Sequence, residues 1–100
     1  MSTTDRTVRP DPPFAERAWA LSPSVALRPE PFGALAYDFV TRQLSFLKTP
    51  LLVDAVRRLA DAPDAATAVR EVGVDGPART AYLTALEGLA RTGIIVERAA

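Results

Sequence analysis

The sequence predicts an α+β fold with a winged-helix-like order of elements, in which a three-stranded antiparallel sheet is followed by three helices. The segment from Leu27 to Lys48 has the pattern strand, turn, strand, turn, strand, and its last two strands alternate with period two, as in strands that bury one face. After this segment the apolar spacing becomes helical, and Thr49-Pro50 forms a helix start signal. The β-branched run Ile94–Val96 adds an optional short C-terminal strand.

The chain is long enough for one small domain of 100 residues. Residues 1–17 are rich in proline and small polar residues and contain Phe14 as their one aromatic residue, so we expect a disordered N-terminal tail. The folded domain is then expected to span residues 18–100, with Trp19 capping one end of the core.

Three segments have strand character. Val25–Arg28 is a short apolar strand that Pro29 and Pro31 end, because proline has no amide hydrogen to donate. Ala34–Phe39 and Gln43–Lys48 both alternate in polarity and are joined by a short link. This arrangement predicts an antiparallel hairpin.

Each hairpin strand has the pattern of a strand that buries one face. In the first of these strands, the large side chains of Leu35, Tyr37 and Phe39 alternate with smaller ones. In the second, Leu44 and Phe46 point one way, and Leu47 lies on the opposite face. Leu47 is therefore the apolar residue that we expect to be available to a ligand.

Three helices are expected after the sheet. Asp64 is a suitable N-cap for the second helix, and Gly73 and Gly93 are suitable terminators of the second and third. The predicted ranges are Leu51–Ala60, Ala65–Val72 and Pro77–Thr92.

Composition argues against catalysis by this chain. It contains no Cys and no His, so thiolate chemistry, Cys-ligated metal clusters and histidine bases are excluded, and we expect neither enzyme activity nor a cofactor. No apolar segment is long enough to cross a membrane, and the N-terminus lacks the apolar core of a signal peptide, so we expect a cytoplasmic protein.

DNA binding is the alternative function. The second and third helices could form a helix-turn-helix, and the third carries Arg79 and Arg91. However, 12 basic and 12 acidic residues cancel, whereas nucleic-acid binding draws most of its affinity from a basic surplus. We therefore expect no nucleic-acid partner.

Peptide binding fits the predicted elements better. If Gln43–Lys48 is an edge strand, an extended peptide can add beside it through main-chain hydrogen bonds. Four or five such bonds, at roughly 1 kcal/mol each, fall short of the ~8 kcal/mol that micromolar affinity requires. An apolar groove must supply the rest, and the third helix, with Tyr82, Leu83 or Leu86, is its natural wall.

Three parts of the sequence carry a family resemblance: Val25–Leu35, which includes Arg-Pro-Glu-Pro-Phe-Gly, the run Thr41–Lys48, and the later helices. Across about Trp19 to Val96 the chain resembles the mycofactocin biosynthesis peptide chaperones. More broadly it is similar to the recognition-element domains of modified-peptide pathways, such as the pyrroloquinoline quinone peptide chaperone. The resemblance implies a precursor-peptide recognition domain that binds the mycofactocin precursor as an added strand, between the third strand and the third helix.

The same resemblance implies that the bound precursor presents its C-terminal Val-Tyr end to a radical S-adenosylmethionine maturase, which would hold the iron–sulfur chemistry. The resemblance matches whole strands and helices, so the residues that contact the peptide are inferred from periodicity. The basic side chains among them are expected to meet acidic residues of the leader. The expected peptide-binding residues are Arg42, Gln43, Leu44, Ser45, Phe46, Leu47, Lys48, Arg79, Tyr82, Leu83 and Leu86.

The sequence leaves two points open. The segment Arg28–Gly33 is either turn architecture or a contact with the enzyme partner. An exposed strand edge could also pair with a second copy, which would make a homodimer.

Overall fold

The structure of the protein, a computed structural model, describes residues 12–98. In chain order the strands are β1 (Trp19–Leu21), β2 (Val25–Glu30), β3 (Gly33–Asp38), β4 (Leu44–Leu47) and β5 (Ile95–Glu97). The α-helices are α1 (Pro50–Arg58), α2 (Ala65–Glu71) and α3 (Pro77–Arg91), and short 3-10 helices span Phe14–Glu16 and Leu59–Asp61.

Strands β2, β3 and β4 form the predicted antiparallel sheet, in that order, and the three α-helices follow them along the chain. The α+β fold class is therefore confirmed. The short C-terminal strand is confirmed as well, because β5 pairs antiparallel with β1, from Trp19 opposite Glu97 to Leu21 opposite Ile95. The sequence did not predict β1 as a strand, since three residues show too little alternation to identify one.

The buried face of the three-stranded sheet is the one that carries the small side chains of β3. In β3, Ala34 and Ala36 are 1% and 0% exposed, whereas Leu35 and Tyr37 are only partly buried on the other face. Helix α1 packs against β3, and alanine side chains let a helix approach a strand closely. Alternation shows which residues share a face, but it does not show which face is inside.

The buried face of β4 follows from that of β3, because opposed residues of an antiparallel pair share a face. Leu47 lies opposite Ala34 and is 0% exposed, in a core cluster that also contains Val56. Leu44 and Phe46 are instead 51% and 57% exposed. The prediction that Leu47 is available to a ligand is therefore wrong.

Helix starts follow the capping signals in the sequence. Thr49 caps α1, since its Oγ accepts a hydrogen bond from the Leu52 amide at 3.1 Å. Asp64 caps α2 and accepts from the Thr67 amide at 2.7 Å. Hydrogen bonding from Thr67 lowers the pKa of Asp64 below its usual range. None of the helices within residues 12–98 combines the length and hydropathy that a membrane span needs.

Part of the predicted tail packs on the folded domain. Residues 1–11 of that tail lie outside the described range. Phe14 stacks on Trp19 with ring centroids 4.6 Å apart, and its carbonyl accepts a hydrogen bond from the Trp19 indole at 3.1 Å. Arg17 lies over the Trp19 ring and pairs with Glu97 at 2.7 Å. The folded domain therefore includes residues that precede the predicted boundary.

Candidate functional site

Strand β4 has a free edge within residues 12–98, since β3 is its one neighbour in the sheet. The amide of Asp38 donates to the carbonyl of Gln43 at 2.9 Å, so the main chain of Gln43 faces β3. Main-chain groups of successive strand residues point to alternate sides, and therefore Leu44 and Phe46 direct their N–H and C=O groups outward. These groups can accept another strand.

The other edge of the sheet, β2, is less suited to strand addition. The amide of Phe39 donates to the carbonyl of Ser24 at 3.1 Å, which sets the hydrogen-bonding alternation between β2 and β3. In that alternation the nitrogen of Pro29 faces outward, and proline has no hydrogen to donate there. Natural sheets use proline in this way to discourage pairing at an edge.

An apolar groove lies between the end of β4 and helix α3, and it has a volume of about 310 Å³. We call it the β4–α3 groove. Among the described residues that line the groove, Lys48 is the one with a charged side chain, and the others are apolar or carry hydroxyl groups. The lining residues are Phe46, Lys48, Thr49, Leu52, Ala81, Tyr82 and Ala85.

A hydrogen bond fixes the groove at one end. The hydroxyl of Tyr82 on α3 lies 2.8 Å from Oγ of Thr49, the residue that caps α1. Ala81 and Ala85 lie one turn apart on the same helix, and their short side chains leave the space beside Tyr82 open. The groove therefore exists because α3 combines a tyrosine that reaches Thr49 with alanines that are too short to fill the space beside it.

The structure separates the three predicted residues of α3. Tyr82 lines the β4–α3 groove, as predicted from its position. Leu83 turns toward Phe14 and Thr80 on another side of the helix, and Leu86 is fully buried in the core. At about 100° per residue, Ala81, Ala85 and Tyr82 share one side of the helix, whereas Leu83 lies beyond Tyr82 and away from both alanines. The expectation that Leu83 and Leu86 reach the groove is therefore wrong.

The predicted residues of the strand region fall into three groups. Leu44, Ser45 and Phe46 lie in β4, at the free edge. Arg42 and Gln43 belong to the exposed connection between β3 and β4, and Lys48 lines the groove. Arg79 is exposed in the first turn of α3 and is not among the groove-lining residues. A direct contact of Arg42 or Arg79 with a peptide stays a prediction.

The connection between β3 and β4 is built around Asp38. Its buried carboxylate accepts hydrogen bonds from the Ser24 hydroxyl at 2.8 Å and from the amides of Val40 and Thr41 at 2.9 and 3.2 Å. Burial raises the pKa of Asp38, but these hydrogen bonds outweigh it and hold the pKa below its usual range. Arg42 completes the turn with a φ of 68°, a left-handed conformation that favours glycine.

Sequence reasoning missed four groove residues, Thr49, Leu52, Ala81 and Ala85. The sequence indicates Thr49 only as a helix cap. The two alanines share a helix face with Tyr82, so their spacing contained a signal. Alanine is abundant throughout this chain and has no distinguishing chemistry, and for that reason the spacing could not be recognised as a groove.

The outward side of the three-stranded sheet is a second feature that the sequence did not predict. We call it the outer sheet face. Its large apolar members are Leu35, Tyr37, Leu44 and Phe46, and the Phe32 ring packs against the Phe46 ring at a centroid distance of 6.0 Å. Phe46 also lines the β4–α3 groove, so the two surfaces meet at the free edge of β4.

The fold and the groove together define a small α+β domain that presents a free strand edge beside an apolar helix surface. The chain belongs to the peptide chaperone MftB family, whose family model matches residues 18–96. It is 51% identical over 83 residues to peptide chaperone MftB of Mycobacterium tuberculosis. The matched region covers 83% of this chain and 76% of the relative. No solved structure gives a significant match.

Two further relatives carry the same description. Peptide chaperone MftB of Mycobacterium ulcerans is 49% identical over 85 residues, covering 85% of this chain and 78% of the relative. That of Mycolicibacterium smegmatis is 48% identical over 79 residues, covering 79% of this chain and 78% of the relative. The resemblance noted from the sequence is thereby confirmed, and family membership supports a peptide-chaperone role.

Proposed function

We propose that the protein binds the mycofactocin precursor peptide as a strand added to the free edge of β4 and delivers it to a radical S-adenosylmethionine maturase. The observation that carries this proposal is the outward-facing main chain of Leu44 and Phe46 directly beside the apolar β4–α3 groove. Strand addition takes affinity from main-chain hydrogen bonds and specificity from pockets for side chains. Both components lie side by side here.

The energetics require both components. Two outward residues and their neighbours make a few main-chain hydrogen bonds, at about 1 kcal/mol each, whereas a micromolar complex needs about 8 kcal/mol. Burial of apolar surface contributes about 25 cal/mol per Å², so one large apolar side chain in the groove adds roughly 2–3 kcal/mol. The lining side chains that can receive it are Phe46, Leu52 and the alanines of α3.

The proposed role assigns no reaction to this chain. The relatives are described as peptide chaperones, and the chain contains no Cys or His with which to hold an iron–sulfur cluster or to act as a base at neutral pH. The bond-making steps would then belong to the maturase, to which the chaperone presents the Val-Tyr end of the precursor. A contact of Arg28–Gly33 with that enzyme is one of the two alternatives that the sequence leaves open, beside turn architecture.

Isothermal titration of the full chain with the synthetic precursor peptide tests the binding step. We expect a 1:1 complex of micromolar affinity or tighter. Ala81→Glu should weaken it about tenfold or more, because it places bulk and a charge in an apolar groove. Thr84→Glu is the matched control, since Thr84 lies on the Phe14 side of the same helix, outside the groove.

The possible outcomes bear separately on peptide binding, on its location in the groove and on delivery to the maturase. No heat with tens of micromolar precursor would overturn the proposed function. Equal affinities of the Ala81→Glu and Thr84→Glu variants would leave peptide binding intact but move it away from the β4–α3 groove. Co-elution of chaperone, precursor and maturase in gel filtration tests delivery, and a maturase that retains the peptide equally well without the chaperone would contradict it.

A further inference from the structure

We propose that the bound peptide segment is recognised on both of its faces, so that it is a continuous run of large apolar residues rather than an alternating one. This inference rests on the proposed strand addition to β4. Side chains on one face of the added strand would enter the β4–α3 groove. Side chains on its other face would cover Leu44 and Phe46 on the outer sheet face.

The edge geometry leads to this inference. Leu44 and Phe46 provide the outward main-chain groups, and their side chains lie on the outer sheet face. A residue paired with either of them places its own side chain on that same face, within contact distance. The peptide residue opposite Ser45 points the other way, toward the face on which α1 packs, and Leu52 of α1 lines the groove there. This alternation holds for a parallel or an antiparallel added strand.

The outer sheet face is suited to such contacts. Leu44 is half exposed and borders a shallow depression of about 330 Å³ that Ala26, Arg28, Leu35 and Tyr37 also line. Arg28, the one charged residue of this lining, is paired with Glu30 of the same strand at 2.9 Å. Apolar surface of this kind, at an edge with unused main-chain groups, is typical of an interaction site.

An added peptide accounts for this surface better than a second copy stacked face to face. A stacked copy would cover Leu44 and Tyr37 but would leave the outward main-chain groups of β4 without partners. An added strand satisfies those groups and covers Leu44 and Phe46 in the same step. Phe46 lines the groove and also contacts Phe32, so it borders the peptide on both sides.

Leu44→Thr is the variant that tests the inference on the protein. Leu44 does not line the β4–α3 groove, and threonine is well tolerated in strands. Titration with the synthetic precursor should show affinity weakened by about tenfold, since the variant removes apolar surface from the peptide contact. Val96→Thr is the matched control, because Val96 is an exposed apolar residue of β5. Its affinity should equal that of the unmodified protein.

A serine scan of the precursor tests the inference on the ligand. Affinity should fall for serine at consecutive positions of the bound segment, both odd and even. Losses at every second position alone, together with an unchanged Leu44→Thr variant, would overturn the two-sided recognition while leaving groove binding in place. Wild-type self-association that Leu44→Thr abolishes without changing peptide affinity would assign the face to a second copy instead. Absence of any precursor binding would overturn both proposals.

Discussion

At the scale of single residues, Leu47 and Leu44 differ sharply although they share one short strand. Leu47 is fully buried against the core, and Leu44 is half exposed on the outer sheet face. We expect Leu47→Ala to lower the free energy of unfolding by about 2–5 kcal/mol, because it leaves a cavity. Leu44→Ala should cost less than about 1 kcal/mol. Urea unfolding measures both, and equal losses would contradict the assignment of faces.

Asp38 gives a residue-scale prediction about pH. Its pKa in the folded protein is lower than the ordinary value of 3.8, so its ionised form stabilises the fold above that ordinary value. As the pH falls through 3.8 toward the folded-state pKa, the unfolded chain takes up the proton first, and this stabilisation is lost. The melting temperature should therefore fall in acid.

Asp38→Asn isolates this effect, because asparagine does not titrate. The variant should be less stable than the unmodified protein at neutral pH, since the Ser24, Val40 and Thr41 donors lose a charged acceptor. Its melting temperature should fall less steeply between pH 6 and about pH 3. Thermal unfolding followed by circular dichroism measures the two slopes, and parallel slopes would show that Asp38 does not contribute.

At the scale of elements, Gly33 lets the loop between β2 and β3 lie close to the end of β4. A Cβ atom at Gly33 would collide with the carbonyl oxygen of Leu47 and lie 3.1 Å from the main-chain nitrogen of Thr49. Gly33→Ala should therefore displace the end of β4, lowering both stability and precursor affinity. This close approach supports turn architecture as one role of the distinctive Arg28–Gly33 segment.

Gly88→Ala is the matched control for Gly33→Ala. Gly88 lies inside α3, and an added Cβ atom meets nothing within 4 Å. Alanine is favoured over glycine in a helix by about 1 kcal/mol, so this variant should raise stability by up to that amount. Urea unfolding of both variants decides the matter. A stabilised Gly33→Ala variant would contradict the close approach that the structure shows.

Elements were predictable from the sequence where their causes are local. Thr49 and Asp64 act as the caps that their positions indicated, and alternation identified the hairpin strands. The inside face of the sheet was not predictable, because it depends on which helix packs there and how closely. The small side chains of Ala34 and Ala36 meet α1, and the larger ones stay outside.

The β4–α3 groove also combines a part that the local sequence predicts with a part that depends on how the helices pack. Tyr82 could be identified as a candidate wall residue from helical spacing alone, and it lies there. The contribution of Thr49 depends on a hydrogen bond between residues 33 positions apart in the chain. Such a contact comes from the way in which α1 and α3 are placed, and no local pattern encodes it.

At the scale of the whole molecule, the balance of charge bears on the prediction that no nucleic acid is a partner. The formal net charge is zero, and three arginines are already paired: Arg17 with Glu97 at 2.7 Å, Arg28 with Glu30 at 2.9 Å and Arg58 with Glu71 at 2.7 Å. Nucleic-acid affinity requires cations that can replace the counterions of several phosphates. Paired arginines on a neutral surface supply few of them.

We therefore expect negligible binding of the full chain to a random 20-base-pair duplex at about 150 mM salt. Fluorescence anisotropy up to about 50 µM protein measures it, because non-specific binders of typical affinity already give a signal at that concentration. The precursor peptide, labelled and titrated in the same buffer, is the positive control. At low salt the duplex signal should stay weak, because like charges on the protein repel as many phosphates as opposite charges attract. Micromolar duplex binding that falls steeply with salt would instead favour a DNA-binding role, with Arg79 and Arg91 of α3 as the first residues to replace.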